Sequence, residues 1–135
     1  MKGSYLLIME LTRDKNIAVG ALGIIHFKKG YYAYVGSAMN SIEKRVERHL
    51  RKEKKLRWHI DYLLKEAKVE KIYYKESQEK EECRIAKIFL SNGFSYVKNF
   101  GASDCNCESH LFYAEDEEKL QDTAKKAQME LYCKI

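Results

Sequence analysis

The sequence predicts an α/β protein of the α+β type: one domain with a small mixed or antiparallel sheet flanked by helices. Three observations predict it. Apolar, aromatic and β-branched runs too short for helices fill the first forty residues. Capped segments with a helical apolar period follow them. No Pro and only 7 Gly occur in 135 residues, and no Pro-rich or Gly/Ser-rich linker divides the chain. A domain of this size buries about two-thirds of its unfolded surface, so neither a disulfide nor a metal is needed merely to fold it.

Tyr5 to Leu11 is a continuous apolar run, as expected of a strand covered on both faces. Arg13 to Asn16 is a turn, Ile17 to Ala21 a short strand and Ile24 to Lys28 a third, so an inserted hairpin is expected at about 12–30. Tyr31 to Gly36 is aromatic and β-branched and reads as a strand. Asn40 is an expected N-cap, with Glu43 three residues on, and the helix it opens places Ile42, Val46 and Leu50 inward. A second helix is expected over 56–67, with Leu56, Ile60, Leu63, Leu64 and Ala67 inward. Val69 to Lys75 is a strand, and Ser77 caps a helix that Asn92-Gly93 stops. After a short extended piece at 94–97 and a loop at 101–109, His110 to Ala114 is the last strand. A C-terminal helix is expected at about 116–132, with Leu120, Ala124, Ala127 and Leu131 on one face.

The apolar segment at 6–9 is too short for a signal peptide or a membrane span, and a cytoplasmic protein with no membrane attachment is expected. The 4 Cys then read as reduced thiols or metal ligands. Between Glu43 and Arg57 stand Lys44, Arg45, Arg48, Arg51, Lys52, Lys54, Lys55 and Arg57 against Glu43, Glu47 and Glu53. This local excess equals the chain's whole net charge of +5. Such a field attracts polyanions, and the simpler alternative is a solvated helix face.

Two features carry chemistry. The first is Gly3-Ser4-Tyr5 and Tyr34-Val35-Gly36-Ser37, followed by Arg45 and His49 on one helix face. Tyrosine hydroxyls can orient a water, an arginine can neutralise a phosphate and an imidazole can handle its proton. Gly36 and Ser37 at a helix entry would let backbone and phosphate approach closely. The second is Cys105-x-Cys107-x-x-His110, three soft or borderline ligands suited to Zn²⁺. Asp104, Cys83 and His26 are the candidates for a fourth, and a tight loop with buried thiols is the simpler reading.

Tyr34-Val35-Gly36-Ser37 with Arg45 and His49 resembles the second half of the GIY-YIG nuclease signature, and Gly3-Ser4-Tyr5 stands where its first half lies. The segments Lys29 to Tyr32, Trp58 to Leu64 and Gly101 to Cys105 resemble a small branch of that superfamily. In that branch the domain stands alone or is fused to an endonuclease III-type DNA glycosylase. Ser4 departs from the apolar middle residue of the pattern, and the interval from Tyr5 to Tyr34 is longer than usual.

The resemblance implies a metal-dependent DNA endonuclease of repair or processing. Its catalytic residues would be Tyr5, Tyr34, Arg45, His49 and a glutamate binding one Mg²⁺ or Mn²⁺. That glutamate is Glu82, with Ile85 and Ala86 three and four residues on, and Glu81 is the reserve. Gly36, Ser37, Lys44, Arg48, Arg51, Lys52, Lys54, Lys55 and Arg57 would hold DNA. The alternative is a non-catalytic nucleic acid-binding module assisting a repair enzyme such as a glycosylase. A third reading is a zinc-stabilised interaction domain.

Overall fold

The computed structural model describes residues 1–135. Its elements, in chain order, are β1 (Gly3–Leu11), β2 (Lys15–Ala18), a 3-10 turn (Gly20–Leu22), β3 (Ile24–Phe27), β4 (Gly30–Ala38), α1 (Ile42–Leu50) and α2 (His59–Leu64). Then follow β5 (Lys68–Glu76), α3 (Glu82–Ser91), β6 (Ser95–Tyr96), β7 (Leu111–Ala114), α4 (Glu117–Lys126) and β8 (Glu130–Lys134). Six strands form one sheet in the order β6-β7-β4-β1-β5-β8, with every neighbouring pair antiparallel. The β2–β3 ladder stands apart from it as a two-stranded hairpin.

The central strand explains its own composition. Side chains alternate across a pleated strand. Tyr5, Leu7, Met9 and Leu11 of β1 therefore pack on one face with Ile42 and Val46 of α1 and Ile60 and Leu63 of α2. Leu6 and Ile8 pack on the other with Ile85, Ala86 and Phe89 of α3 and Leu120 and Ala124 of α4. A strand buried on both sides cannot alternate polar with apolar, which is why this segment reads as a continuous run. No helix is long and apolar enough to cross a membrane.

Several expected boundaries are corrected. Ser41, not Asn40, caps α1, its side chain accepting from the Lys44 N–H at 3.1 Å. His49 faces the core at 2% exposure, whereas Leu50 is 43% exposed, so the inner face is rotated by one residue. The second helix is only His59–Leu64, and Leu56 lies outside it. The third begins at Glu82 rather than near Ser77. The expected helix over 116–132 ends at Lys126, where Gln128 takes a φ of 63°. The chain then reverses into β8, an edge strand that leaves Leu131 half exposed. Leu131 continues the helical spacing in sequence, but it pairs with Tyr73 of β5, so its backbone groups join the sheet edge.

Candidate functional site

The two tyrosines meet because β1 and β4 are adjacent and in register. Tyr5 lies opposite Gly36, and Tyr34 lies two residues earlier on β4. Their ring centroids are 6.4 Å apart. A Cβ on Gly36 would run into the Tyr5 ring, so only glycine lets that ring lie flat across β4. The ring stretches toward α1, where Tyr5 Oη and His49 Nε2 share a buried hydrogen bond of 2.7 Å.

Burial dominates the ionisation of this group. It raises the Tyr5 hydroxyl to about 12 despite the nearby Arg45, and raises Tyr34 well above the ordinary phenol value. Burial and then the Lys54 charge lower His49 to about 3. At neutral pH both phenols are therefore protonated and the imidazole is neutral. His49 Nδ1 is buried with no partner.

Arg45 emerges from α1 beside these rings. It donates to the Ser37 carbonyl at 3.0 Å and lies over the Trp58 ring at 4.6 Å. One backbone contact leaves most of its five N–H donors uncommitted. Trp58 is also covered by Arg48, at 4.2 Å.

The expected phosphate contacts divide. Arg48 makes a two-pronged pair with Asp61, both bonds at 2.9 Å, and Asp61 is fully buried. Burial disfavours that carboxylate, but Arg48 and the N–H groups of Trp58 and Arg57 outweigh it and bring Asp61 down to about 2. Lys54 donates to the carbonyls of Arg48 and His49, closing the end of α1. Arg48 and Lys54 are thus engaged within the fold, where the sequence reading treated them as free cations. Arg51 and Lys52 line a separate depression with Leu50 and Leu56, whereas Arg57 faces the tyrosines. Lys44 and Lys55 are exposed. Gly36 and Ser37 lie within β4 rather than at the helix entry, and Met1 O and Ser41 Oγ already cap the first turn of α1. The expected place of Gly36 and Ser37 at the helix entry is corrected, and both line the cleft from β4 instead.

Glu82 comes from the opposite face of the sheet. It opens α3, and the N-terminal turn of that helix borders the cleft. Tyr5, Tyr34, Arg45 and Glu82 line one cleft of about 590 Å³, with Trp58, His59 and Gly101 completing its walls. Glu82 Oε2 is buried with no hydrogen-bond partner. A carboxylate oxygen held free in a polar cleft fits a hard divalent ion such as Mg²⁺ or Mn²⁺. Glu81 is engaged elsewhere, by Lys75 at 2.8 Å and Arg84 at 2.6 Å. His49 stands behind Tyr5 rather than on the cleft wall. Sequence reasoning passed over Lys80, which lines the cleft by folding alone and carries no local signal.

The cysteine loop joins the same wall. Cys83, Cys105, Cys107 and His110 bring one ligand atom each to within 4.8 Å of one another, a set able to hold a metal ion. Its thiols and imidazole suit zinc-type ions rather than magnesium. Cys83 is the fourth member. Asp104 is not in the set, and His26 lies on the hairpin bonded to Asn16. Burial and then the neighbouring thiols raise Cys83 to about 12. All four cysteines are free. His59 Nδ1 accepts from the Gly101 N–H at 2.8 Å and ties the start of this loop to α2.

The family model described as Domain of unknown function DUF123 matches residues 4–133. No curated protein and no solved structure matches the chain significantly.

Proposed function

This chain belongs to the DUF123 family, and we propose that its cleft is that of a metal-dependent, GIY-YIG-type endonuclease hydrolysing DNA phosphodiester bonds in repair or processing. One observation carries the reading. Tyr5, Tyr34, Arg45 and Glu82 come from four elements on two faces of the sheet, yet they line one cleft. In it a carboxylate oxygen is buried and unpartnered. A merely structural carboxylate would pair with a nearby cation, as Glu81 does.

Glu82 would hold one Mg²⁺ or Mn²⁺, and that ion supplies Lewis acidity and charge neutralisation at a phosphate oxygen when bound. The remaining roles belong to the chain's own groups. The protonated Tyr5 and Tyr34 hydroxyls hold and orient the attacking water by hydrogen bonding. Neutral His49, bonded to the Tyr5 hydroxyl at 2.7 Å, holds that phenol in place, so the imidazole positions the water-orienting group rather than taking the proton. Arg45 faces the phosphoryl oxygens, and its stack on Trp58 and bond to Ser37 fix it before substrate arrives. Arg57 and Lys80 on the cleft wall, with Lys44 and Lys55 beyond it, attract the flanking backbone without reading sequence.

A nicking assay on branched and damaged DNA, with and without Mg²⁺ or Mn²⁺, tests this reading. Metal-dependent cutting supports it. DNA retention without cutting would support the alternative, a binding module that assists a glycosylase.

A further inference from the structure

Four soft ligands drawn from two segments surround one point at the edge of the cleft. Cys83 stands one residue after Glu82 in the first turn of α3. Cys105, Cys107 and His110 come from the loop between β6 and β7. Tetrahedral zinc, with Zn–S of about 2.3 Å and Zn–N of about 2.0 Å, requires sulfur–nitrogen edges of about 3.5 Å. Cys105 Sγ lies 3.5 Å from His110 Nε2, and Cys83 Sγ lies 3.9 Å from the same nitrogen. The backbone of His110 is also fixed: its carbonyl accepts from the Val35 N–H of β4 at 3.0 Å, and its own N–H donates to the Phe100 carbonyl at 2.8 Å.

We propose that Cys83, Cys105, Cys107 and His110 form a structural Zn²⁺ site that clamps the β6–β7 loop to the N-terminus of α3 and so positions Glu82 in the cleft. Four protein ligands close the coordination sphere, which makes the ion a staple rather than a reagent. Binding exchanges three thiol protons for one Zn²⁺, giving a centre with a net charge of −1 and three protons released to solvent. The same loop carries Gly101, whose φ of 69° lets it pack against Tyr34 and His110. Fixing it therefore sets two walls of the cleft together. The ion is distinct from the hard cation assigned to Glu82, since thiolates and a carboxylate select different metals.

The role assigned to Glu82 rests on the nuclease reading, whereas the metal site does not. The test therefore uses the full chain with two readouts besides activity. Reduced protein purified with zinc should hold about one ion per chain. Replacement by Co²⁺ should give the intense visible bands of a tetrahedral thiolate site. Cys107→Ser should lose the stoichiometric ion, and Glu82→Gln should keep it. Removing zinc from the parent protein should raise amide exchange at residues 82–85 and 101–110 while β1 stays protected, and adding zinc back should reverse this. Should Cys107→Ser fail to fold, the parent's Co²⁺ spectrum and the removal–return cycle still decide the matter. An octahedral or featureless Co²⁺ spectrum, or no stoichiometric zinc, would overturn the site. Unchanged exchange on zinc removal would overturn the clamp. A protein that holds zinc in this way but never nicks DNA would sink the nuclease reading and leave the metal site standing.

Discussion

Tyr5 and His49, 44 residues apart, are joined by a 2.7 Å hydrogen bond buried between the sheet and α1. The bond depends on Gly36, which lies opposite Tyr5 and leaves room for its ring. The sequence elements that suggest chemistry are thus one packed unit, and structural and chemical roles can be separated by substitution.

Gly36→Ala should destabilise the protein by about 1–3 kcal/mol, the usual cost of forcing a methyl group into a packed site. The Tyr5 ring must shift, which breaks its bond to His49. Urea unfolding measures the loss. A melt indistinguishable from the parent's would show that the Tyr5 ring moves aside at no cost.

Arg48→Ala should cost about 3 kcal/mol or more, because it leaves Asp61 buried without its cation. Lys55→Ala, on an exposed side chain, should fall within about 0.5 kcal/mol of the parent. Equal stability of the two variants would contradict the division of the basic run into structural and free cations.

The pH dependence follows from His49 and Asp61. The unfolded imidazole titrates at about 6.5, and the folded one at about 3. The unfolded chain therefore binds the extra proton first, and stability falls as pH drops from about 6.5 toward 3, by up to about 1.4 kcal/mol per pH unit. Asp61, lowered to about 2, loses its contribution below about pH 4 in the same direction. In urea unfolding between pH 4 and 6, His49→Gln should flatten the slope by about one proton. An unchanged slope would place His49 in contact with solvent.

If Lys55 and Arg57 track a phosphate backbone, changing both to Ala should weaken DNA binding at all sequences alike and reduce the salt slope by about 2. Fluorescence anisotropy at several salt concentrations reads both quantities. Unaltered affinity would make these residues a solvated face.

The sheet was legible because β1 and β4 carry period-two and fully apolar patterns that only strands satisfy. Tyr5, Tyr34, Arg45 and Glu82 were legible as residues, and their convergence on one cleft was the expectation that the nuclease resemblance required. Three things were hidden. His49 reads as rim because one residue of helix rotation separates it from Leu50, and local sequence does not fix rotation that finely. Arg48 and Lys54 read as free cations because Asp61 and the end of α1 reach them only after folding. The choice of Cys83 over Asp104 and His26 depended on α3 packing beside the β6–β7 loop, a contact between elements that share no local pattern.

Glu82 and Arg45 are assigned to one scissile phosphate, and cleavage by their variants decides whether they share it. Branched and damaged DNA would be incubated with the parent protein, Arg45→Ala and Glu82→Gln, with Mg²⁺ or Mn²⁺. Binding would be measured in parallel. The parent should nick only with metal. Arg45→Ala should cut roughly one hundred to one thousand times more slowly, the usual loss for one donor aimed at developing charge. Glu82→Gln should bind DNA and stay folded but not cut. Variants that cut as fast as the parent would place the active site elsewhere, and a parent that binds but never cuts would leave the cleft a binding surface.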